Sequence, residues 1–65
     1  MTLTINGETQ EAAAETLARL LETLELAEAV VATAINGRFV RAADRGRTAL
    51  RDGDSVEILA PMQGG

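Results

Sequence analysis

A chain of 65 residues makes one small domain with a single thin core. It has no cysteine and no histidine, and its six basic residues are all arginine, which excludes disulfide staples, histidine zinc cages, thiolate or imidazole catalysis and Schiff-base lysines. A net charge of −4 argues against nucleic acid, whose phosphates call for a basic face, and suits a partner with a basic docking surface.

In chain order, "LTI" at Leu3–Ile5 alternates apolar and polar residues and reads as a strand. Asn6-Gly7 follows, the short hairpin signal of a type I′ turn, and the return strand runs from Glu8 to about Glu11. The period then changes. In "AAAETLARLLETLEL", Leu17, Leu20, Leu21 and Leu24 fall at i, i+3, i+4 and i+7, one apolar stripe of a helix, with Arg19, Glu22 and Glu25 on the other face. Thr16 or Glu15 serves its N-terminus, without a full capping box.

After the connector "AEA", the β-branched "VVATAI" (Val30–Ile35) reads as a more buried strand. Asn36-Gly37 repeats the hairpin signal and "RFV" (Arg38–Val40) returns. "RAADRGRTAL" is polar, a loop with one helical turn. Asp52-Gly53-Asp54 makes a tight turn, and "SVEIL" is the last strand, with Val56 and Ile58 on one face and Glu57 and Leu59 on the other. Two hairpins around a helix, closed by a strand that lies beside the first at the sheet centre, predict an α+β layer pair. The expected arrangement is a mixed four- to five-stranded sheet with one main helix packed on one face. The domain spans 1–60, and 61–65 form a flexible C-terminal tail. The apolar stretches fall short of a membrane span, and Met1 leads into a strand with no secretory signal, so a soluble cytoplasmic protein, monomeric when free, is expected.

Several features have a local explanation. Asp52-Gly53-Asp54 lacks the further ligands of a calcium loop and suits a turn. Both Asn-Gly pairs sit where type I′ turns belong. Arg38, Arg41, Arg45, Arg47 and Arg51 make a locally basic region that reads first as solvated side chains and second as a phosphate- or carboxylate-binding face. Leu59, if Val56 and Ile58 face inward, points outward beside the tail. With Phe39, the chain's one aromatic ring, it is the candidate partner surface.

The tail "PMQGG" has no such local explanation. With glycine near 7% of residues, two closing glycines arise by chance about 0.5% of the time. Pro61 blocks continuation of the ladder and biases Ala60 to an extended shape, so the arm projects. Gly64-Gly65, lacking Cβ atoms, can thread a channel that would refuse any side chain. The terminal carboxylate is then the one group this chain can deliver into another protein's active site. Attack of a carboxylate on the α-phosphate of ATP gives an acyl-adenylate that sulfur or nitrogen nucleophiles can displace. No phosphate-binding motif stands in this chain, so a partner must bind ATP and metal, and this chain would be its substrate.

"LTINGE", "AINGRFV", "LRDGDSVEIL" and the closing "GG", in this order and spacing over essentially the whole chain, resemble the ThiS family of sulfur carriers of thiamine biosynthesis. These are ubiquitin-like β-grasp proteins, related to the small subunit of molybdopterin synthase. The resemblance implies that Gly65 is adenylated by an E1-like, ATP-dependent adenylyltransferase of ThiF type. It implies that sulfur relayed from a cysteine desulfurase turns Gly65 into a thiocarboxylate, and that a thiazole synthase of ThiG type receives that sulfur. Pro61, Met62, Gln63 and Gly64 would thread the partner's channel. No cofactor or metal is expected on the chain itself, and no catalytic residue. A carrier without cysteine is coherent when sulfur rides on the terminus. "RAADRGR" lacks the proline and bulky aromatic that many relatives place there, and Pro61-Met62-Gln63 is less apolar than some family tails. The alternatives are a carrier for molybdopterin or another sulfur-containing product, and a non-catalytic β-grasp interaction module.

Overall fold

The computed structural model describes residues 1–60. Five strands and one α-helix follow the expected order: β1 (Thr2–Ile5), β2 (Glu8–Glu11), α1 (Leu17–Thr23), β3 (Ala32–Ile35), β4 (Arg38–Val40) and β5 (Ser55–Leu59), with a 3-10 helix at Ala42–Arg47 before the last strand. The strands form one sheet in the order β2-β1-β5-β3-β4. β1 and β5 run parallel at its centre, and every other pair is antiparallel. This is the mixed β-grasp sheet that the pattern of hairpin, helix, hairpin and strand predicts.

Both hairpins turn where Asn-Gly stands. Asn6 and Gly7 have φ of 50° and 84°, and Asn36 and Gly37 have φ of 51° and 84°, the left-handed pair of a type I′ turn. α1 begins at Thr16, whose hydroxyl accepts from the Arg19 N–H at 3.2 Å. It packs Leu17, Leu20 and Leu21 against the inner face of the sheet, where Leu3, Ile5, Val56 and Ile58 meet them with Ala14 and Leu50. The start of the helix is tied to the segment before β5. Leu17 N–H donates to Thr48 O at 3.0 Å, and Leu50 N–H to Glu15 O at 3.0 Å.

α1 is shorter than the stripe suggests. It closes in a Schellman arrangement, with Glu25 N–H donating to Glu22 O at 3.0 Å and Leu26 N–H to Leu21 O at 2.7 Å. Leu24 is the half-buried cap residue, and Glu25 lies in the left-handed region with φ of 62°, not on the helix's polar face. β3 also begins later than its β-branched run. Val30 is 80% exposed and precedes the strand, because the partner strand ends where Ala32 pairs with Leu59.

β5 is held by side chains as well as by the ladder. Thr4 N–H donates to Asp54 O and Asn6 N–H to Val56 O, both at 2.9 Å. The next rung falls on Ile58, after β1 has turned away. There the Asn6 side chain replaces the missing peptide: its Oδ1 accepts from Ile58 N–H at 2.8 Å and its Nδ2 donates to Ile58 O at 3.1 Å. On the opposite edge Asn36 Oδ1 accepts from Ser55 N–H at 2.9 Å, and Asn36 Nδ2 donates to Asp54 Oδ1 at 3.0 Å.

Two stability outcomes are expected. Glu25→Gly removes the left-handed penalty and raises stability by about 0.5–1 kcal/mol, read as a higher urea midpoint; an unchanged or lower midpoint contradicts it. Asn6→Gly keeps the turn but removes both bonds to Ile58, costing about 1–3 kcal/mol and speeding exchange of the Ile58 amide. A loss below about 0.5 kcal/mol would show that the clamp is dispensable.

Candidate functional site

The alternation of β5 sends Val56 and Ile58 into the core and Glu57 and Leu59 to the opposite face. Register extends that outer face across β3 and β4. Leu59 stands opposite Ala32, Glu57 opposite Ala34, and Ala34 opposite Phe39. Phe39 is 70% exposed and Leu59 65% exposed. With Ala32, Thr33, Ala34 and Glu57 they line a shallow depression of about 90 Å³. A second hollow of about 310 Å³ adjoins it, lined by Val30, Val31, Ala32, Leu59 and Ala60, and the two share Ala32 and Leu59. Together they make a continuous, mostly apolar surface that reaches Ala60.

The structure therefore brings Phe39 and Leu59 to one patch. Val30, Ala32, Ala34 and Ala60 complete it and were not singled out by their sequence. Two alanines in a strand and a third after one are unremarkable, and Val30 reads as core until the register shows where β3 begins. Gly65 and the arm Pro61, Met62, Gln63 and Gly64 lie outside the described residues. A larger hollow of about 370 Å³ lies elsewhere, beside the start of α1. There the Arg19 and Glu22 side chains pair at 2.9 Å beside Ala13, Ala14, Glu15 and Thr23, with no large apolar side chain in the lining.

The arginines of the arginine-rich stretch do not all serve the same face. Arg45 turns inward: its Nε donates to Thr33 Oγ1 at 3.0 Å and its Nη2 to Val31 O at 2.6 Å. Thr33, the buried polar residue of β3, donates its own hydroxyl hydrogen bond to Val40 O at 2.8 Å. Arg41 and Arg47 share the Asp44 carboxylate at 3.3 Å and 2.9 Å. Arg45 therefore gives its donors to neutral acceptors, and Arg38 and Arg51 make neither an ion pair nor a side-chain hydrogen bond among the described residues. Asp52 and Asp54 likewise serve the fold, Asp52 tying the turn to β1 and Asp54 closing it. Asp52 Oδ1 accepts from Thr2 N–H at 2.6 Å and Asp54 Oδ2 from Arg51 N–H at 2.8 Å. Among the described residues no three potential ligands gather around a metal position, and no helix is long and apolar enough to cross a membrane.

A family model described as the ThiS family matches residues 3–65. The chain belongs to the ThiS family. Two solved structures agree with that membership. The crystal structure of thiamine biosynthesis protein ThiS from Geobacter metallireducens is 36% identical, with each chain fully covered and a TM-score of 0.84. A solution structure of a thiamine biosynthesis protein from the same organism is 35% identical, covering this chain fully and 88% of its own, with a TM-score of 0.78. A search of curated proteins finds no match. The ThiS match runs through the closing Gly64-Gly65, so the resemblance covers the tail as well as the sheet.

Proposed function

We propose that this chain is a sulfur carrier of thiamine biosynthesis that acts through the carboxylate of Gly65. The observation that carries the reading is the ThiS match over residues 3–65, on a sheet whose central strand delivers the chain to Ala60 beside an exposed apolar patch. A chain without cysteine, histidine or lysine has no nucleophile suited to holding sulfur on a side chain. The terminal carboxylate supplies an acyl group instead. One carboxylate oxygen attacks the α-phosphorus of ATP and pyrophosphate leaves, giving the Gly65 acyl-adenylate. A hydrosulfide equivalent, supplied through a cysteine desulfurase, then adds to the carbonyl carbon and AMP leaves, giving the thiocarboxylate. A thiazole synthase takes the sulfur and returns the carboxylate for another cycle. The adenylyltransferase binds the ATP and its metal; this chain contributes the acyl group and the surface by which it is held.

The patch of Phe39, Leu59 and Val30 is the holding surface in this reading. Covering large exposed side chains returns about 25 cal/mol for each Å² of apolar area removed from water, which favours docking through the sheet face. Docking there sets the start of the arm at the partner's surface, and the arm Pro61–Gly64 carries Gly65 to the adenylate site.

Intact-mass analysis tests the chemistry. After incubation with the cognate adenylyltransferase, ATP and a sulfur source, the protein gains the mass difference between sulfur and oxygen at its C-terminus; an unchanged mass rejects the carrier reading. A variant with one residue added after Gly65 keeps its circular dichroism spectrum and loses activation. Undiminished activation of that variant would show that the Gly65 carboxylate is not the group activated.

A further inference from the structure

The apolar patch contains one charge, and that charge limits what can cover it. Glu57 stands opposite Ala34, with Phe39 on the next strand of the same row and Leu59 two residues along its own strand. Neighbouring strands lie about 4.8 Å apart and alternate residues of a strand about 7 Å apart. A partner that buries Phe39 and Leu59 therefore also covers Glu57, since an interface of ordinary size removes about 800 Å² from each side. Glu57 makes no ion pair among the described residues. The register places only uncharged side chains and one other acid beside it on this face: Thr2, Thr4, Thr9, Glu11, Ala32, Ala34, Phe39, Ser55 and Leu59. Glu11 is already engaged, accepting from Thr2 Oγ1 at 2.5 Å and lying 3.8 Å from the Met1 amine.

While the face is open, water solvates the Glu57 carboxylate at no cost. Once the face is covered, that water must leave. An uncompensated buried carboxylate is penalised by more than the burial of Leu59 returns. The partner must then bring a cation to the centre of its own apolar surface. A guanidinium suits this position better than an ammonium, because it is less strongly hydrated and its planar fork matches both carboxylate oxygens.

We propose that the outer sheet face, through Glu57 set among Phe39, Ala34 and Leu59, selects a protein partner whose apolar docking surface carries an arginine that pairs with the Glu57 carboxylate. This rests on the carrier reading, with the activating enzyme as the partner. Glu57 is a specificity determinant of docking and takes no part in the chemistry at Gly65. An apolar partner lacking the cation is refused, and one bearing its own acid there is repelled.

Binding of the full-length chain to its cognate ATP-dependent activating enzyme, measured without ATP by titration calorimetry, tests this. Wild type, Glu57→Gln, Glu57→Arg and Leu59→Ala are compared at several sodium chloride concentrations, each first checked for an unchanged thermal midpoint. Glu57→Arg weakens binding by about thirtyfold or more, and Glu57→Gln by about tenfold with most of the salt dependence lost. Leu59→Ala also weakens binding but keeps the wild-type salt dependence. A Kd for Glu57→Arg within about twofold of wild type, alongside measurable wild-type binding, overturns the proposal. Absence of binding by the wild-type chain is a different failure: it removes the carrier reading, and this proposal with it.

Discussion

Everything in this domain is registered on β5. It is the middle strand of the five, parallel to β1 on one edge and antiparallel to β3 on the other, and its five residues divide between the two faces of the sheet. Val56 and Ile58 close the core under α1; Glu57 and Leu59 form the centre of the exposed patch. Core and surface are thus two readings of one period-two alternation. A slip of one residue would exchange them, placing a carboxylate in the core and two branched apolar side chains in water. Side chains on both edges of β5 reinforce that register. Asn6 continues the β1 ladder onto Ile58 with its side-chain amide, and Asn36 fixes Ser55 from the other side. Both asparagines therefore do more than turn the chain.

Much of this was legible in the sequence, because its signals are local. Asn-Gly demands two left-handed residues wherever it occurs, and both pairs turn the chain where expected. The leucine stripe and the alternation of "SVEIL" each encode a face without reference to the rest of the chain. What the sequence hid depends on partners distant in the chain. Val30 and Val31 have strand propensity, but a strand exists only where a neighbour pairs, and β5 offers none beyond Leu59. The Asn6 amide reaches a residue 52 positions away, which turn chemistry does not foretell. Arg45 reads as a surface charge, yet the carbonyl of Val31 and the hydroxyl of Thr33 receive its donors. Glu25 continues a helical pattern in the sequence while closing the helix in the fold. Of the patch, only the large members Phe39 and Leu59 were visible; the alanines that give it a floor became so through register.

Composition sharpens the meaning of that patch. A 65-residue domain is short of core material, and this one has a single aromatic ring. Aromatic side chains remove more area from water than any others, so a domain selected for stability alone would bury its one phenylalanine. Phe39 instead stands 70% exposed beside Leu59 and Val30, while smaller aliphatic residues fill the interior. Withholding the largest side chain from the core is a cost in stability that a docking surface explains and a self-sufficient fold does not.

An exposed apolar face is also an aggregation risk, and the sheet edges show how it is contained. β2, one edge, is ETQE and fully exposed, with a carboxylate at each end. β4, the other, is three residues long and begins with Arg38. Short or charged edges resist the addition of a further strand from another chain, and a net charge of −4 keeps copies apart. The face is not protected in this way, apart from Glu57 at its centre. Two copies meeting face to face would bring two such carboxylates into one drying interface, where like charges repel. The same residue that asks a partner for an arginine therefore discourages the chain from pairing with itself, and leaves the sheet face free for a partner of different surface chemistry.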